Sequence, residues 1–390
     1  MSFSFSGPLD ISKSWMNRAL ILKSYQPEIE IVGESESDDV KFLEKCLEDL
    51  RNGKTEFFVG LGGTTFRFLA LRLSRRPGKY KIMAEPRLFK RPQTELVSIL
   101  QQLGIKAWFQ NDVFMIESDG WKPLETLKVS GQDSSQFLSS VLLNSIDLPF
   151  DLKIEARSAI TSESYFFYTQ ELMKSYGFIF ENQTVHKNQK LTTKQMVGEV
   201  DVSSFFSLAT AAVLAGDVHL TNWNQKSLQP DLKFLEFFNQ MGIRYRIQET
   251  HFYISQQHIG RPLQASLAQC PDLFPVLSVL CAFADGESHL FGAEQLKHKE
   301  SNRIEKTAEL LSLCGFKIEK LNDGLKIFGD PQTTYKKRNL VTFDPDHDHR
   351  MAFAASLMHL KNYPVLIKDP LVIKKSYPQF YQHTGIAGLT

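Results

Sequence analysis

Four times along this chain an apolar, helix-length pattern stops at a glycine, and two short alternating segments follow. The stretches read SILQQLGIKAWFQNDVFMIES, ELMKSYGFIFENQTVHK, FFNQMGIRYRIQETHFYIS and LLSLCGFKIEKLNDGLKIFG, with the glycines at Gly104, Gly177, Gly242 and Gly315. A glycine in that place ends a helix in the left-handed conformation that other residues resist. Alternation on both sides of a short polar turn predicts a hairpin. The glycines are 73, 65 and 73 residues apart. A weaker copy surrounds Gly53 in KCLEDLRNGKTEFFVG, and the C-terminal segment is left for a degenerate sixth. Each unit is larger than a solenoid repeat, so a single stacked row is not the expected arrangement. A chain of 390 residues is also too long for one simple core. The expectation is an α/β chain of two domains with three units each, joined by a tight crossing because no long linker is present.

The second constraint is what precedes the helices. In VGLGGTTFRFLALRL, Gly62, Gly63, Thr64 and Thr65 open an apolar helix and Arg67 follows within a turn. Such a start offers bare backbone N–H groups and the positive end of a helix dipole, and the arginine adds a fork of donors. Taken alone it would be an ordinary cap. It is not alone. DISKSWMNRALIL brings Lys13, Ser14 and Arg18; GQDSSQFLSSVLL brings Ser134, Ser135 and Gln136; SAITSESYFFYTQEL brings Ser162 and Tyr165. DVSSFFSLATAAVL repeats a serine pair at Ser203 and Ser204, and QCPDLFPVLSVLCAF puts Asp272 at a first turn. KHKESNRIEKTAEL gives Lys299, Glu300 and Arg303, and DPDHDHRMAFAASLM gives Asp348, His349 and Arg350. Several of these carry a cation that capping does not need. Helix starts of this kind, gathered in one cleft, would hold a multiply charged anion such as a phosphate. The carboxylates Asp272 and Glu300 among them are candidates for proton transfer.

Charge makes this a local matter. The 45 basic and 44 acidic residues leave a net charge of +1, so no global pull toward nucleic acid or membrane is expected. The cysteines Cys46, Cys270, Cys281 and Cys314 lie in apolar surroundings and form neither CxxC nor a zinc-spaced Cys/His set, so buried free thiols and no metal are expected. GLGG has neither P-loop nor dinucleotide spacing. The start MSFSFSGPLDISKS has no basic region leading into an apolar run and does not read as a signal peptide, and no apolar stretch reaches membrane-spanning length. The expectation is a reduced, cytoplasmic protein.

At these same motifs the chain resembles the enolpyruvyl transferase family. SKSWMNRAL resembles the family's SKS-x-x-NRA segment, SDDV its SDD-[TV], and GLGGTTFRFL its G-N-A-G-T-x-x-R. AEPRLFKRP, SSQFLSSVLL, SESYFFYTQELMKSYG, KHKESNRI, DHRMA and KKSYPQF match further family segments in the same order. The resemblance implies a two-domain inverse α/β barrel of six βαβαββ repeats, three per domain. It places one domain at 12–199, the other at 1–11 plus 200–390, and the active site in the cleft between them. It implies transfer of the enolpyruvyl group of phosphoenolpyruvate to the 5-hydroxyl of shikimate-3-phosphate, releasing phosphate by addition and elimination, on the route to chorismate and the aromatic amino acids. No cofactor and no metal are implied; the partners are the two small-molecule substrates, and a monomer is expected.

Residue by residue, the resemblance assigns Ser14, Arg18, Ser134, Ser135, Gln136, Ser162, Tyr165, Asp272, Gln295 and Lys299 to shikimate-3-phosphate. It assigns Lys13, Gly63, Arg87, Gln136, Arg303, Arg350 and Lys375 to phosphoenolpyruvate, with Arg67 in support. Lys13, Asp272 and Glu300 become the proton handlers. Departures from the family pattern are Asp10-Ile11 for Pro-Gly, Leu61 for Asn, Gly62 for Ala, Phe68 for Pro, Asn302 for Asp and Gln295 for Asn. Two other readings stay open at this point. One is the sister reaction on UDP-N-acetylglucosamine, which calls for a reactive loop cysteine. The other is a non-catalytic binding protein on the same scaffold.

Overall fold

A computed structural model describes residues 2–332 and 339–386. The chain divides into two compact units: Ile11–Gly198, here the central unit, and Met1–Asp10 with Glu199–Thr390, here the split unit. Each has its own apolar core, built only from its own residues. Among the described residues no helix is long and apolar enough to cross a membrane.

Both units use one construction. A strand leads into a helix, the helix into a parallel neighbouring strand, and a second helix into an antiparallel hairpin that extends the sheet. In the central unit this gives Glu56–Phe58, Gly63–Ser74, Gly78–Met83, Thr94–Gln102, Lys106–Gln110 and Val113–Ser118. Thr126–Val129, Gln136–Leu143, Leu152–Ala156 and Glu163–Ser175, with the hairpin Phe180–Glu181 and Thr184–Val185, repeat it. The split unit repeats it around the helices Val202–Ala215 and Phe274–Ala282. The four hairpins are the four expected from the sequence, and Gly104, Gly177, Gly242 and Gly315 all have φ between +74° and +85°.

Two of the six units are shorter than expected. Gln195–Val197 pairs in parallel with Glu30–Val32, and Val341–Phe343 with Val365–Ile367, each without a hairpin. At Gly53 the chain has room for only Glu56–Phe58 before the next helix mouth, and that strand joins the following sheet. After Ile367, Pro370 opens a short 3₁₀ turn instead of a strand.

Burial explains the layering. Four of the first helices are buried nearly all round, which suits only an interior position. Every residue of Val202–Ala215 and Phe274–Ala282 is buried. In Gly63–Ser74 only Thr64 is not, and in Gln136–Leu143 only Gln136 is not. Within each unit the three first helices pack on one another: Lys13–Lys23, Gly63–Ser74 and Gln136–Leu143 in the central unit, and Val202–Ala215, Phe274–Ala282 and His349–Leu360 in the split unit. The strands alternate, as in Phe3–Gly7 and Val113–Ser118, with one face to the helices and one to water. Helices inside and sheets outside is the inverse α/β arrangement. Each first helix leaves the carboxyl end of a strand, where open α/β folds place ligands.

One departure from the family pattern has a visible accommodation. A Cβ on Gly33 would lie 2.5 Å, and one on Gly198 2.6 Å, from the side chain of Ile11. The two glycines make the space that the isoleucine fills.

The glycines yield a stability test. Gly242 has open space where a Cβ would go, whereas a Cβ on Gly177 would lie 2.2 Å from Thr192 Oγ1. Gly242→Ala is expected to lower unfolding free energy by about 1 kcal/mol, the left-handed backbone cost alone. Gly177→Ala is expected to lose about 3 kcal/mol, because overpacking adds to that cost. Urea unfolding of both variants measures the difference.

Candidate active site

In the central unit three helix starts meet. Lys13 opens the helix Lys13–Lys23, and its Nζ donates to Asp39 Oδ2 at 3.0 Å, in the first turn of Asp38–Arg51. Thr65 Oγ1 donates to the Asp39 carbonyl at 3.0 Å, tying in the helix Gly63–Ser74. The cap of that third helix is Gly62, which supplies no side-chain hydrogen bond. Its first-turn N–H groups have no partner within the helix by construction. Arg91 stands at this mouth: a Cβ on Gly63 would lie 2.9 Å from Arg91 Nη1. An open helix start flanked by Arg91 and Lys13 is chemistry for a carboxylate or phosphate.

Beside it, Ser135 caps Gln136–Leu143 and Ser162 caps Glu163–Ser175, neither with a side-chain hydrogen bond to its helix. Ser162 is left-handed at φ 54° and ψ 50°. Ser134 Oγ accepts from Gln136 N at 3.2 Å. Arg67 Nη1 donates to Gln136 Oε1 at 2.7 Å. Arg18 points inward. It donates through Nε to Thr169 Oγ1 at 2.8 Å, through Nη1 to the Ser14 carbonyl at 2.8 Å and through Nη2 to the Tyr165 carbonyl at 3.2 Å. Burial pulls its guanidinium down to about 10, partly offset by Tyr168 and Tyr165, so it keeps its charge at neutral pH. In this arrangement Arg18 ties the Ser14 turn to the Tyr165 turn.

The split unit assembles an ion network around Arg303. This buried guanidinium donates to three carboxylates: Nη1 to Asp272 Oδ1 at 2.8 Å, Nη2 to Glu300 Oε2 at 3.0 Å, and Nε to Asp348 Oδ2 at 2.7 Å. Asp272 passes its other oxygen to Arg350 Nη2 at 2.9 Å, and Lys299 Nζ lies 3.7 Å from Asp272 Oδ1. Glu300 Oε1 accepts from Lys375 Nζ at 2.9 Å. Arg350 Nη2 also donates to Ser203 Oγ at 3.0 Å. Asp348 caps the helix His349–Leu360 through the Arg350 N–H. Burial alone would raise the Asp272 carboxyl; Arg350, Lys299 and Arg303 outweigh it and hold the group well below the usual carboxylate range. Burial opposes the charge on Arg303 too, and Asp348, Glu300 and Asp272 outweigh it, holding that group above its ordinary value. Asp272 keeps about a fifth of its side-chain surface open (22 %), enough for a ligand to reach it.

The expected residues therefore fall into sets. Lys13 and Gly63 stand at one mouth, linked through Asp39 and Thr65, and Arg67 meets Gln136. Asp272, Lys299, Glu300, Arg303, Arg350 and Lys375 form one network. Gln295 donates to the Ala268 carbonyl at 3.1 Å. Asn302, one of the departures, caps Arg303–Leu313 by accepting from Glu305 N at 3.3 Å, work that an aspartate would also do. From AEPRLFKRP the expected residue is Arg87, which lies in the short helix Pro86–Phe89; the arginine set against Gly63 is Arg91, which the sequence reading did not name. The missed signal was the Arg-Pro pair that ends that segment. Asp39, quoted only as part of SDDV, was missed as the partner of Lys13.

Fold and site define a class: paired inverse α/β units with open helix starts, clustered cations and carboxylates among them. The comparisons sharpen this. The family model for EPSP synthase (3-phosphoshikimate 1-carboxyvinyltransferase) matches residues 19–384. A 3-phosphoshikimate 1-carboxyvinyltransferase of Thermococcus kodakarensis is 33 % identical over 82 % of this chain and 77 % of its own length. 3-Phosphoshikimate 1-carboxyvinyltransferase 2 of Halalkalibacterium halodurans is 29 % identical over 95 % and 89 %. Among solved structures, the fold matches EPSP synthase from Acinetobacter baumannii with a TM-score of 0.73 at 20 % identity, over 100 % of this chain and 96 % of that one. It also matches the enolpyruvyl transferase NikO from Streptomyces tendae with a TM-score of 0.71 at 11 % identity, over 98 % and 94 %. The chain belongs to the EPSP synthase family.

The Asp272 shift has a signed consequence. A carboxylate held below its unfolded value adds stability above that value, near pH 4, and the contribution disappears as pH falls through the folded value. Asp272→Asn is therefore expected to be least stable relative to wild type above about pH 5, with the gap narrowing below about pH 4. Denaturant unfolding from pH 3 to pH 8 checks this, and a gap that does not change with pH would contradict it.

Proposed function

We propose that the chain joins shikimate-3-phosphate and phosphoenolpyruvate into the enolpyruvyl ether and phosphate, and that the residues above are its machinery. The observation that carries this reading is the Arg303 network. It joins four cations to two accessible carboxylates, Asp272 and Glu300, in a chain of the EPSP synthase family. A phosphate trap needs the cations; a proton-transfer enzyme needs the carboxylates as well.

Phosphoenolpyruvate is assigned to Lys13, Gly63, Gln136, Arg303, Arg350 and Lys375, with Arg91 added from the segment that suggested Arg87. Shikimate-3-phosphate is assigned to Ser14, Ser134, Ser135, Gln136, Ser162, Tyr165, Asp272, Gln295 and Lys299, with Arg18 holding the Ser14 and Tyr165 turns in place. Asp272 enters as a carboxylate, so it accepts the 5-hydroxyl proton as that oxygen bonds to C2 of phosphoenolpyruvate. The Lys13 ammonium delivers a proton to C3, which becomes a methyl group. Phosphate then leaves C2, C3 gives up a proton to Glu300, and the double bond returns. The cations counter the charge on carboxylate and phosphate throughout.

The UDP-N-acetylglucosamine reading loses its main support. All four cysteines are buried and none is in a disulfide, and burial pushes the Cys46 and Cys281 thiols up to about 12, the opposite of an activated nucleophile. Buried free thiols suit a reducing, cytoplasmic setting.

Phosphate release is expected only when both substrates are present, and none is expected with UDP-N-acetylglucosamine as acceptor. Release without shikimate-3-phosphate, or none with both, would overturn the reading. Asp272→Ala is expected to lower kcat by about 10²-fold or more. Arg91→Ala is expected to raise the KM for phosphoenolpyruvate about 10- to 100-fold, the loss of a charge-assisted contact. Arg87→Ala, assayed in parallel, shows which arginine of the segment holds that substrate.

A further inference from the structure

Arg67 is buried in the helix Gly63–Ser74, with its guanidinium 4.6 Å from the centre of the Phe137 ring. It meets two glutamines. Nε donates to Gln93 Oε1 at 3.2 Å and Nη1 to Gln136 Oε1 at 2.7 Å, while Nη2 donates to the Pro92 carbonyl at 3.1 Å. An arginine only donates, so the amide atom facing it must be oxygen in both glutamines. Gln93 confirms its own orientation at the other end, where its Nε2 donates to the Leu88 carbonyl at 3.4 Å.

The result is a directed chain. Two consecutive residues, Pro92 and Gln93, fix two edges of the guanidinium. That leaves Nη1 for Gln136, whose oxygen is then occupied and whose NH₂ group must turn the other way. Gln136 is the one residue of its helix that is not buried, so this NH₂ is presented as a donor pair to whatever oxygen-rich ligand occupies the mouth. Arg91 at the Gly63 mouth lies two residues before Gln93, so one short segment serves both places.

We propose that Gln93 is a positioning residue for the reaction: by holding Arg67 Nε it sets the amide of Gln136 with its donors toward the substrate. This rests on the reading of Gln136 as a substrate-binding residue. Gln93 touches no substrate itself. Without its acceptor the guanidinium loses the contact that fixes its Nε edge, and the Gln136 amide can flip to present its oxygen, which repels a phosphate or carboxylate.

The test is a double-mutant cycle. Gln93→Met keeps the volume and removes the acceptor; Gln93→Glu keeps an acceptor; Gln136→Ala removes the group being positioned. Gln93→Met is expected to raise the KM for shikimate-3-phosphate about tenfold while kcat changes less than about threefold. In the Gln136→Ala background the same change is expected to add less than about twofold, because the two residues act through one amide. Gln93→Glu is expected to stay within about threefold of wild type, and Gln93→Leu, which also removes the acceptor, carries the cycle if Gln93→Met does not fold. A tenfold effect that persists without Gln136, a Gln93→Met enzyme with wild-type constants, or a Gln93→Glu enzyme as impaired as Gln93→Met would each overturn the proposal. Wild-type protein that neither turns over nor binds shikimate-3-phosphate by calorimetry would instead remove the substrate reading on which it rests.

Discussion

Arg303 is a guanidinium with almost no surface in contact with water, and the chemistry of the split unit depends on how that charge is satisfied. A buried cation is tolerable only when paired and hydrogen-bonded. Arg303 meets this with three carboxylates at 2.7 to 3.0 Å. Each carboxylate then has capacity left. Asp272 spends it on Arg350, Glu300 on Lys375, and Asp348 on the start of the helix His349–Leu360. One buried charge thus fixes the places of two further cations and of both proton-transfer candidates. Four cations against three carboxylates leave the network locally positive in a chain that is nearly neutral overall. An anion entering it meets partners already oriented, so little reorganisation is needed as charge develops.

The helix starts divide into two kinds. At Ser12, Asp201, Asn302 and Asp348 the capping side chain closes on its own helix. At Gly62, Ser135 and Ser162 the capping residue's own side chain makes no such bond, although Ser134 Oγ accepts from the Gln136 N–H. The closed kind stabilises a helix end by about 1 kcal/mol. The open kind gives up that gain and leaves donors for a ligand. These three starts lie in the central unit with Lys13, Arg91 and Gln136. In the split unit Phe274–Ala282 also begins without a side-chain cap, and the charge there is carried by the side chains around Arg303.

Much of this was legible in the sequence because it is local. A glycine that must take positive φ, with alternation after it, marks Gly104, Gly177, Gly242 and Gly315 with no knowledge of the rest of the chain. The all-round apolar character of Val202–Ala215 and Phe274–Ala282 likewise announces an interior helix. The motifs around Lys13, Gln136, Glu300 and Arg350 are local too, each a polar cluster ahead of an apolar helix. What the sequence left undecided depends on side-chain direction. Arg87 and Arg91 are four residues apart in one short segment, and only the tertiary structure puts Arg91 against Gly63. Arg18 reads as a ligand cation, yet its donors are turned to Thr169, Ser14 and Tyr165. Eight polar helix starts look alike on paper, and the open ones differ from the closed ones only in where a hydroxyl or carboxylate points. The two missing hairpins follow from too short a connection at Gly53 and a proline after Ile367, both visible as letters but weaker than the repeat they interrupt.

The central claim is that this chain uses its own proton-transfer groups to run an addition followed by an elimination. In heavy water, with shikimate-3-phosphate and phosphoenolpyruvate both present, C3 passes through a methyl group that has taken one deuteron. Mass spectrometry of the enolpyruvyl product should then find deuterium on the vinyl methylene carbon. Product formed with no deuterium there would mean that C3 is never protonated, and would contradict the addition-elimination course and the roles given to Lys13 and Glu300.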